Sequence, residues 1–132
     1  MGAWLVAAGV NGLMAVAVGA FAAHGLRASL DPTALDWIET ASRYQFWHAL
    51  ALVGTALLTN QATLARYRRL VQAIGWLFLA GIVLFAGSLY LLALTGLQAF
   101  AWITPFGGVT LIAGWAALVA LGVRRWRSGG ER

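Results

Sequence analysis

Leu70–Val123 reads LVQAIGWLFLAGIVLFAGSLYLLALTGLQAFAWITPFGGVTLIAGWAALVALGV and holds no Asp, Glu, Lys or Arg across 54 residues. A helix crosses roughly 30 Å of hydrocarbon with about 20 apolar residues at 1.5 Å rise. The stretch is therefore too long for one span and suits two. Thr95-Gly96 supplies a stop for the first. Thr104-Pro105 offers a capping residue and then proline for the second. Arg124, Arg125 and Arg127 end it, and the tail to Arg132 is expected to fray.

Outward from this stretch the pattern repeats. Tyr44–Ala65 and Trp4–Leu26 also lack charge. Four spans follow, at about 4–26, 43–60, 70–94 and 105–123, in a single membrane domain over 1–132. The expected fold is all-α: an antiparallel four-helix membrane bundle with a short amphipathic segment between helices 1 and 2. Composition excludes an ordinary soluble domain. Charged residues make up 10% and mean hydropathy is +0.80, against about 25% charged in soluble domains. Ala20-Phe21-Ala22 before Ala23 resembles a signal-peptide cleavage site. Met1–Ala3 carries no basic side chain, so a retained first span is the expectation.

The segment Arg27–Arg43 is the polar exception. Asp31 suits a helix cap and Pro32 the first helical position. Leu35, Ile38 and Ala41 or Ser42 then share one face, while Asp36, Glu39 and Arg43 share another. Glu39 and Arg43 stand four apart with the acid first, the favourable order. An interfacial amphipathic helix is expected here, lying on the membrane or running into the second span.

The chain has no cysteine, so neither disulfides nor thiolate metal sites arise. All nine basic residues are arginine, as in GC-rich bacterial genomes. A net charge of +5 would suggest nucleic acid in a soluble protein. Here the arginines sit at span ends, where the positive-inside rule puts them and where anionic headgroups lie. No nucleic-acid partner is expected. Seven arginines (66, 68, 69, 124, 125, 127 and 132) fall on one side and two (27 and 43) on the other. A bacterial inner membrane with both termini cytoplasmic follows. Trp4, Trp76, Trp102 and Trp126 lie near span ends, as interfacial belts require.

Burial of hydrocarbon does not hold helices together in lipid, so small residues that permit close approach matter. The first span carries Ala8, Gly12, Ala15, Gly19 and Ala22 at steps of four and three. The third pairs Ala80 with Gly87 and Gly81 with Ser88; the fourth repeats the rhythm with Gly107, Thr110, Gly114 and Ala117. These seams serve the bundle itself, a homo-oligomer, or other membrane proteins.

Polar side chains inside spans are costly and mark candidate sites. His24 and His48 each fall about 5–8 Å inside the outer edge by helical rise. Gln45, Ser88, Tyr90 and Thr104 reach the same level, so four helices supply polar groups to one expected layer. A hydrogen-bond network that ties helix ends together is the first reading. Proton or small-ligand handling is the second, since imidazole titrates near neutrality. Haem or copper ligation by His24 and His48 is the third; two histidines at unrelated spacing are a poor ligand set, and no cofactor is expected. Asn11 is expected to bond across a helix interface, with no second polar group continuing a path from it. Nucleophile elbows, phosphate-binding glycine loops and paired catalytic carboxylates are absent, which argues against an enzyme.

The runs Gly19-Ala-Phe-Ala-Ala-His-Gly-Leu26 and Tyr44-Gln-Phe-Trp-His-Ala-Leu50 resemble the YgdD-like family of small bacterial inner-membrane proteins. That family is catalogued as domain of unknown function 423, with eukaryotic relatives called transmembrane protein 256. Gly81–Tyr90, Ile103–Gly108 and Gly114-Trp115 resemble it too. One departure is an alanine in the Ala22-Ala23 pair where the family pattern GAFGAHG carries glycine; alanine is still small enough for close packing. The resemblance implies a four-span membrane fold with a retained first helix and no assigned activity. His24, His48, Ser88, Tyr90, Thr104 and Pro105 fall in the matching segments. The leading expectation is a non-enzymatic membrane protein that packs against partners or binds a small lipophile. A small transporter or proton-coupled carrier and a haem- or copper-binding accessory protein are the alternatives.

Overall fold

A computed structural model describes residues 1–129. It holds α1 (Gly2–His24), α2 (Pro32–Thr59), α3 (Arg68–Thr95) and α4 (Thr104–Gly129). Short 3₁₀ turns at Ala62–Tyr67 and Gln98–Trp102 lead into α3 and α4. Among the described residues, three segments are long and apolar enough to cross a membrane: Gly2–His24, Ala62–Thr95 and Gln98–Ser128. The fold is an all-α membrane bundle.

Of the two expected placements of the amphipathic segment, the structure has the one in which it runs into the second span. Pro32–Thr59 is one helix of 28 residues, and the polar stretch forms its first turns. Nothing between Asp36 and Arg43 breaks a helix, and one inward stripe runs the whole way. Ala34, Ile38, Ala41, Gln45, His48 and Leu52 are all buried at helical spacing. Asp31 Oδ1 accepts the Ala34 N–H at 3.0 Å, and Pro32 occupies the first turn. Glu39 and Arg43 pair at 3.3 Å on the exposed face. Asp31→Ala should cost about 1 kcal/mol by orphaning that amide. Faster hydrogen exchange at the Ala34 amide, with the rest of α2 unchanged, is the expected signature.

Helices adjacent in sequence pack antiparallel, and α2 and α3 form the centre. Ile38 and Leu52 of α2 and Val71, Ile74 and Phe78 of α3 are almost fully enclosed. Along α1, the buried residues Ala8, Ala15 and Ala22 face inward, while Ala23, the other alanine of the departing pair, is exposed and takes no part in that packing. A Cβ added to Gly12 would sit 4.0 Å from Ala49, and one on Gly19 would sit 3.4 Å from Ser42 Oγ. Along α4, Gly107 lies against the backbone of Phe85, Leu111 against Gly81, and Gly114 against the Phe78 ring. Gly87 is different, because a Cβ there would meet nothing within 4 Å. Trp4 fits over Gly75 and donates its indole N–H to Gln72 Oε1 at 3.1 Å, pinning α1 to α3.

Gly96 ends α3 in the left-handed conformation (φ 68°), returning its N–H to the Leu92 carbonyl at 2.9 Å. Thr104 does not cap α4. It stands inside the first turn, and its hydroxyl reaches Phe100 O at 3.3 Å and Ser88 Oγ at 2.8 Å.

Candidate functional site

The inward stripe of α2 carries Gln45 and His48 one turn apart, and they serve different neighbours. Gln45 reaches between α1 and α3. Its Nε2 donates to Asn11 Oδ1 at 3.0 Å, and its Oε1 accepts from Tyr90 Oη at 2.8 Å. Asn11 Nδ2 donates in turn to the Ala7 carbonyl at 2.8 Å. Asn11 bonds across a helix interface as expected, and the bond continues through Gln45 to Tyr90 on a third helix, a path the sequence did not suggest. Ser88 and Thr104 tie α3 to α4 through their hydroxyls, apart from that chain.

His48 turns toward α4. Its Nδ1 lies 2.7 Å from the Tyr44 carbonyl, which can only accept, so Nδ1 carries the proton. Its Nε2 accepts the indole N–H of Trp115 at 3.1 Å. The two bonds define one neutral tautomer and use both ring nitrogens. Aromatic rings surround the imidazole: Phe78 at 5.8 Å, Trp115 at 6.0 Å and Tyr44 at 6.1 Å between centroids.

Above this pair a groove of about 580 Å³ opens sideways between α2 and α4. Tyr44, Trp47, Phe85, Gly108, Ile112 and Trp115 line it. Gly108 leaves the room: its position lies 3.9 Å from the Phe85 ring even with a Cβ added. The groove wall is apolar and aromatic, and its one interior polar pair, His48 with Trp115, is closed on itself.

The expectation that His24 and His48 share a layer does not hold. Gly19 is level with Ser42 and Gly12 with Ala49, so α1 and α2 are in a register that places His24 beside Trp37. His48 lies about eleven residues further along α2, roughly 16 Å by helical rise. His24 is exposed at the end of α1, and His48 is buried. α2 begins at Pro32, eleven residues before Arg43, so Arg43 does not mark a span end from which the depth of His48 can be counted. No single metal ion can take both rings as ligands. Among the described residues, no three His, Asp or Glu side chains cluster in a way that would hold one.

Trp115 appears in the sequence only as part of the Gly114-Trp115 resemblance and not among the expected site residues. Its signal was its position: a tryptophan in mid-span, away from the interfacial belts, has an N–H that needs a partner within the protein.

The family described as a protein of unknown function, DUF423, matches residues 18–108. The chain belongs to this family. The UPF0382 inner membrane protein YgdD of Escherichia coli (strain K12) is 41% identical over 128 residues, covering 95% of this chain and 92% of that protein. A UPF0382 membrane protein of Staphylococcus saprophyticus is 40% identical over 119 residues, covering 90% and 95%. One from Haemophilus influenzae is 41% identical over 115 residues, covering 87% and 89%. No solved structure matches. As a DUF423 member, this chain is a small membrane protein, and Gln45, His48, Ser88, Tyr90 and Thr104 all fall within the matched range.

Proposed function

We propose that this DUF423 protein crosses the inner membrane four times with both termini cytoplasmic, catalyses no reaction, and binds a small lipophilic molecule in the α2–α4 groove. The groove carries the reading. It is concave, apolar and aromatic, and it opens toward lipid, as a site for a flat or chain-like lipophile should. Tyr44 and Trp47 at its rim are exposed, so a ligand can reach them from the bilayer.

The topology has its own support. α2 packs against α1 and α3, with Gln45 and His48 buried while Asp36 and Glu39 in its first turns are exposed at one end. From Thr104 to Trp126, α4 rises about 33 Å, matching the hydrocarbon thickness. Trp102 and Trp126, both strongly exposed, mark its two ends.

Transport is less well supported. Asn11, Gln45 and Tyr90 satisfy one another, and among the described residues no buried side-chain nitrogen or oxygen lacks a partner. A proton or solute path needs groups free to bind what passes.

Gly108→Leu tests the reading, because the leucine fills the groove from its wall without entering the α3–α4 contact. Protein extracted with its surrounding lipid is expected to retain a lipophile by native mass spectrometry. The variant is expected to lose it while keeping the helix content of the native chain by circular dichroism. Identical ligand content in both would remove the groove from consideration. Photocrosslinking from Ile112 that captures a protein would assign the face to a membrane partner instead.

A further inference from the structure

The start of α3 carries charge of the unfavourable sign. A helix N-terminus is positive, and acids are the stabilising residues there. The first turn of α3 holds no acid and its N-terminus has no side-chain cap, yet Arg68 and Arg69 open it. Arg66 lies just before them, its guanidinium 4.6 Å from the centre of the Tyr67 ring. Among the described residues the one ion pair is Arg43 with Glu39, at the opposite end of the molecule. Among the described residues, no carboxylate pairs with these three arginines at the positive end of the helix.

The same arginines rim a recess of about 780 Å³, with Ala65, Gln72, Ala73 and Trp76 completing its wall. Trp76 is exposed and held edge-on by Trp4, their ring centres 5.4 Å apart. From Arg69 to Trp76 the helix rises about 10 Å. A basic mouth therefore stands above an apolar foot, at the separation of a phospholipid's phosphate from the upper part of its acyl chain. Guanidinium groups bind phosphate oxygens in pairs, and juxtamembrane arginines draw anionic lipid.

We propose that this recess is a site for one anionic phospholipid, with its phosphodiester on Arg66, Arg68 and Arg69 and an acyl chain along Trp76. The site is separate from the α2–α4 groove and stands whether or not that groove binds a lipophile. Full-length protein in a nonionic detergent is melted with added phosphatidylglycerol, phosphatidylcholine or sodium phosphate. Phosphatidylglycerol alone is expected to raise the melting temperature, and native mass spectra to show one molecule retained per chain. Arg66→Gln/Arg68→Gln/Arg69→Gln should abolish both effects, while Arg124→Gln/Arg127→Gln, on the same side, should keep them. Equal stabilisation by sodium phosphate would mean a simple anion site and overturn the proposal. So would an unchanged response in the triple variant, or equal loss in the α4 pair. If the triple variant does not fold, Arg69→Gln and Trp76→Ala should each raise the phosphatidylglycerol concentration for half-effect about tenfold; no change in either overturns it.

Discussion

Gly107→Val should open the α3–α4 contact and cost more than any other glycine replacement in the chain. A Cβ at this position would lie 2.6 Å from Phe85 Cα and 2.8 Å from the Leu84 carbonyl carbon. Those are backbone atoms of a helix, which cannot rotate aside as a side chain can. Gly81 and Gly114 also meet close neighbours, but theirs are the Leu111 side chain and the Phe78 ring. Overpacking of a tight contact costs about 1–3 kcal/mol and sometimes more. Gly107→Ala falls at the lower end of that range, and Gly107→Val exceeds it because a branched side chain must also be placed. The nearby Ser88–Thr104 bond, 2.8 Å long, should break as the helices part. Gly87→Ala is the matched control on α3, with open space around the new methyl. It should be neutral or slightly stabilising, since alanine is the better helix former. Unfolding in detergent followed by circular dichroism decides it. Equal melting of Gly87→Ala and Gly107→Ala would show that the close approach carries no energy.

This contrast marks what the sequence could and could not supply. The rhythm of small residues in α4 was readable, and Gly107 and Gly114 do stand where α3 comes closest. Gly87 belonged to the same kind of pattern, yet it faces no neighbour. A seven-residue repeat gives a face but not the direction of that face. Direction is set by the other helices, which a single helix's periodicity does not contain. The charge-free stretches located the helices well, because a missing charge is a property of composition alone. α2 was harder. Its first turns are polar and its last turns apolar, so composition split in two what the backbone keeps as one helix from Pro32 to Thr59. The spacing of Ala34, Ile38, Ala41, Gln45 and His48 was the better guide, since it crosses the polar boundary without interruption.

The continuity of α2 also decides how the polar residues pair. With α2 cut at Arg43, His48 seemed as shallow as His24. With α2 continuous, the pair separates, and the polar residues form independent bonds between helix pairs: Asn11–Gln45–Tyr90, Ser88–Thr104 and His48–Trp115. That polar groups within the helices would bond from one helix to another was legible from the cost of burying them alone. Which groups would meet was not, because partner choice depends on rotation about each helix axis. His48 shows this most plainly. Its partner, Trp115, lies 67 positions away in the chain, and no local pattern links the two.

Gln45→Met should be the most damaging polar substitution. The thioether nearly matches the amide in shape but neither donates as the amide does nor accepts well. Asn11 Oδ1 and Tyr90 Oη would each lose a buried partner. Interhelical hydrogen bonds in membranes average about 0.6 kcal/mol and reach about 1.7. Leaving buried polar groups unpaired adds about 1–3 kcal/mol. The expected loss is about 2–4 kcal/mol, against about 1 kcal/mol for Tyr90→Phe, which orphans one lone pair of Gln45. The decisive comparison is the triple variant Asn11→Leu/Gln45→Met/Tyr90→Phe. Removing every member at once leaves no orphan, so its loss should be smaller than that of Gln45→Met alone. Melting curves of the three proteins in one detergent give the ordering. A triple variant less stable than Gln45→Met would mean that the bonds themselves hold α1, α2 and α3 together. A triple variant as stable as the native chain would mean that stability does not require these polar groups in the bundle. The reason for their presence would then lie in fixing the helix register, or in a ligand or partner that draws on them.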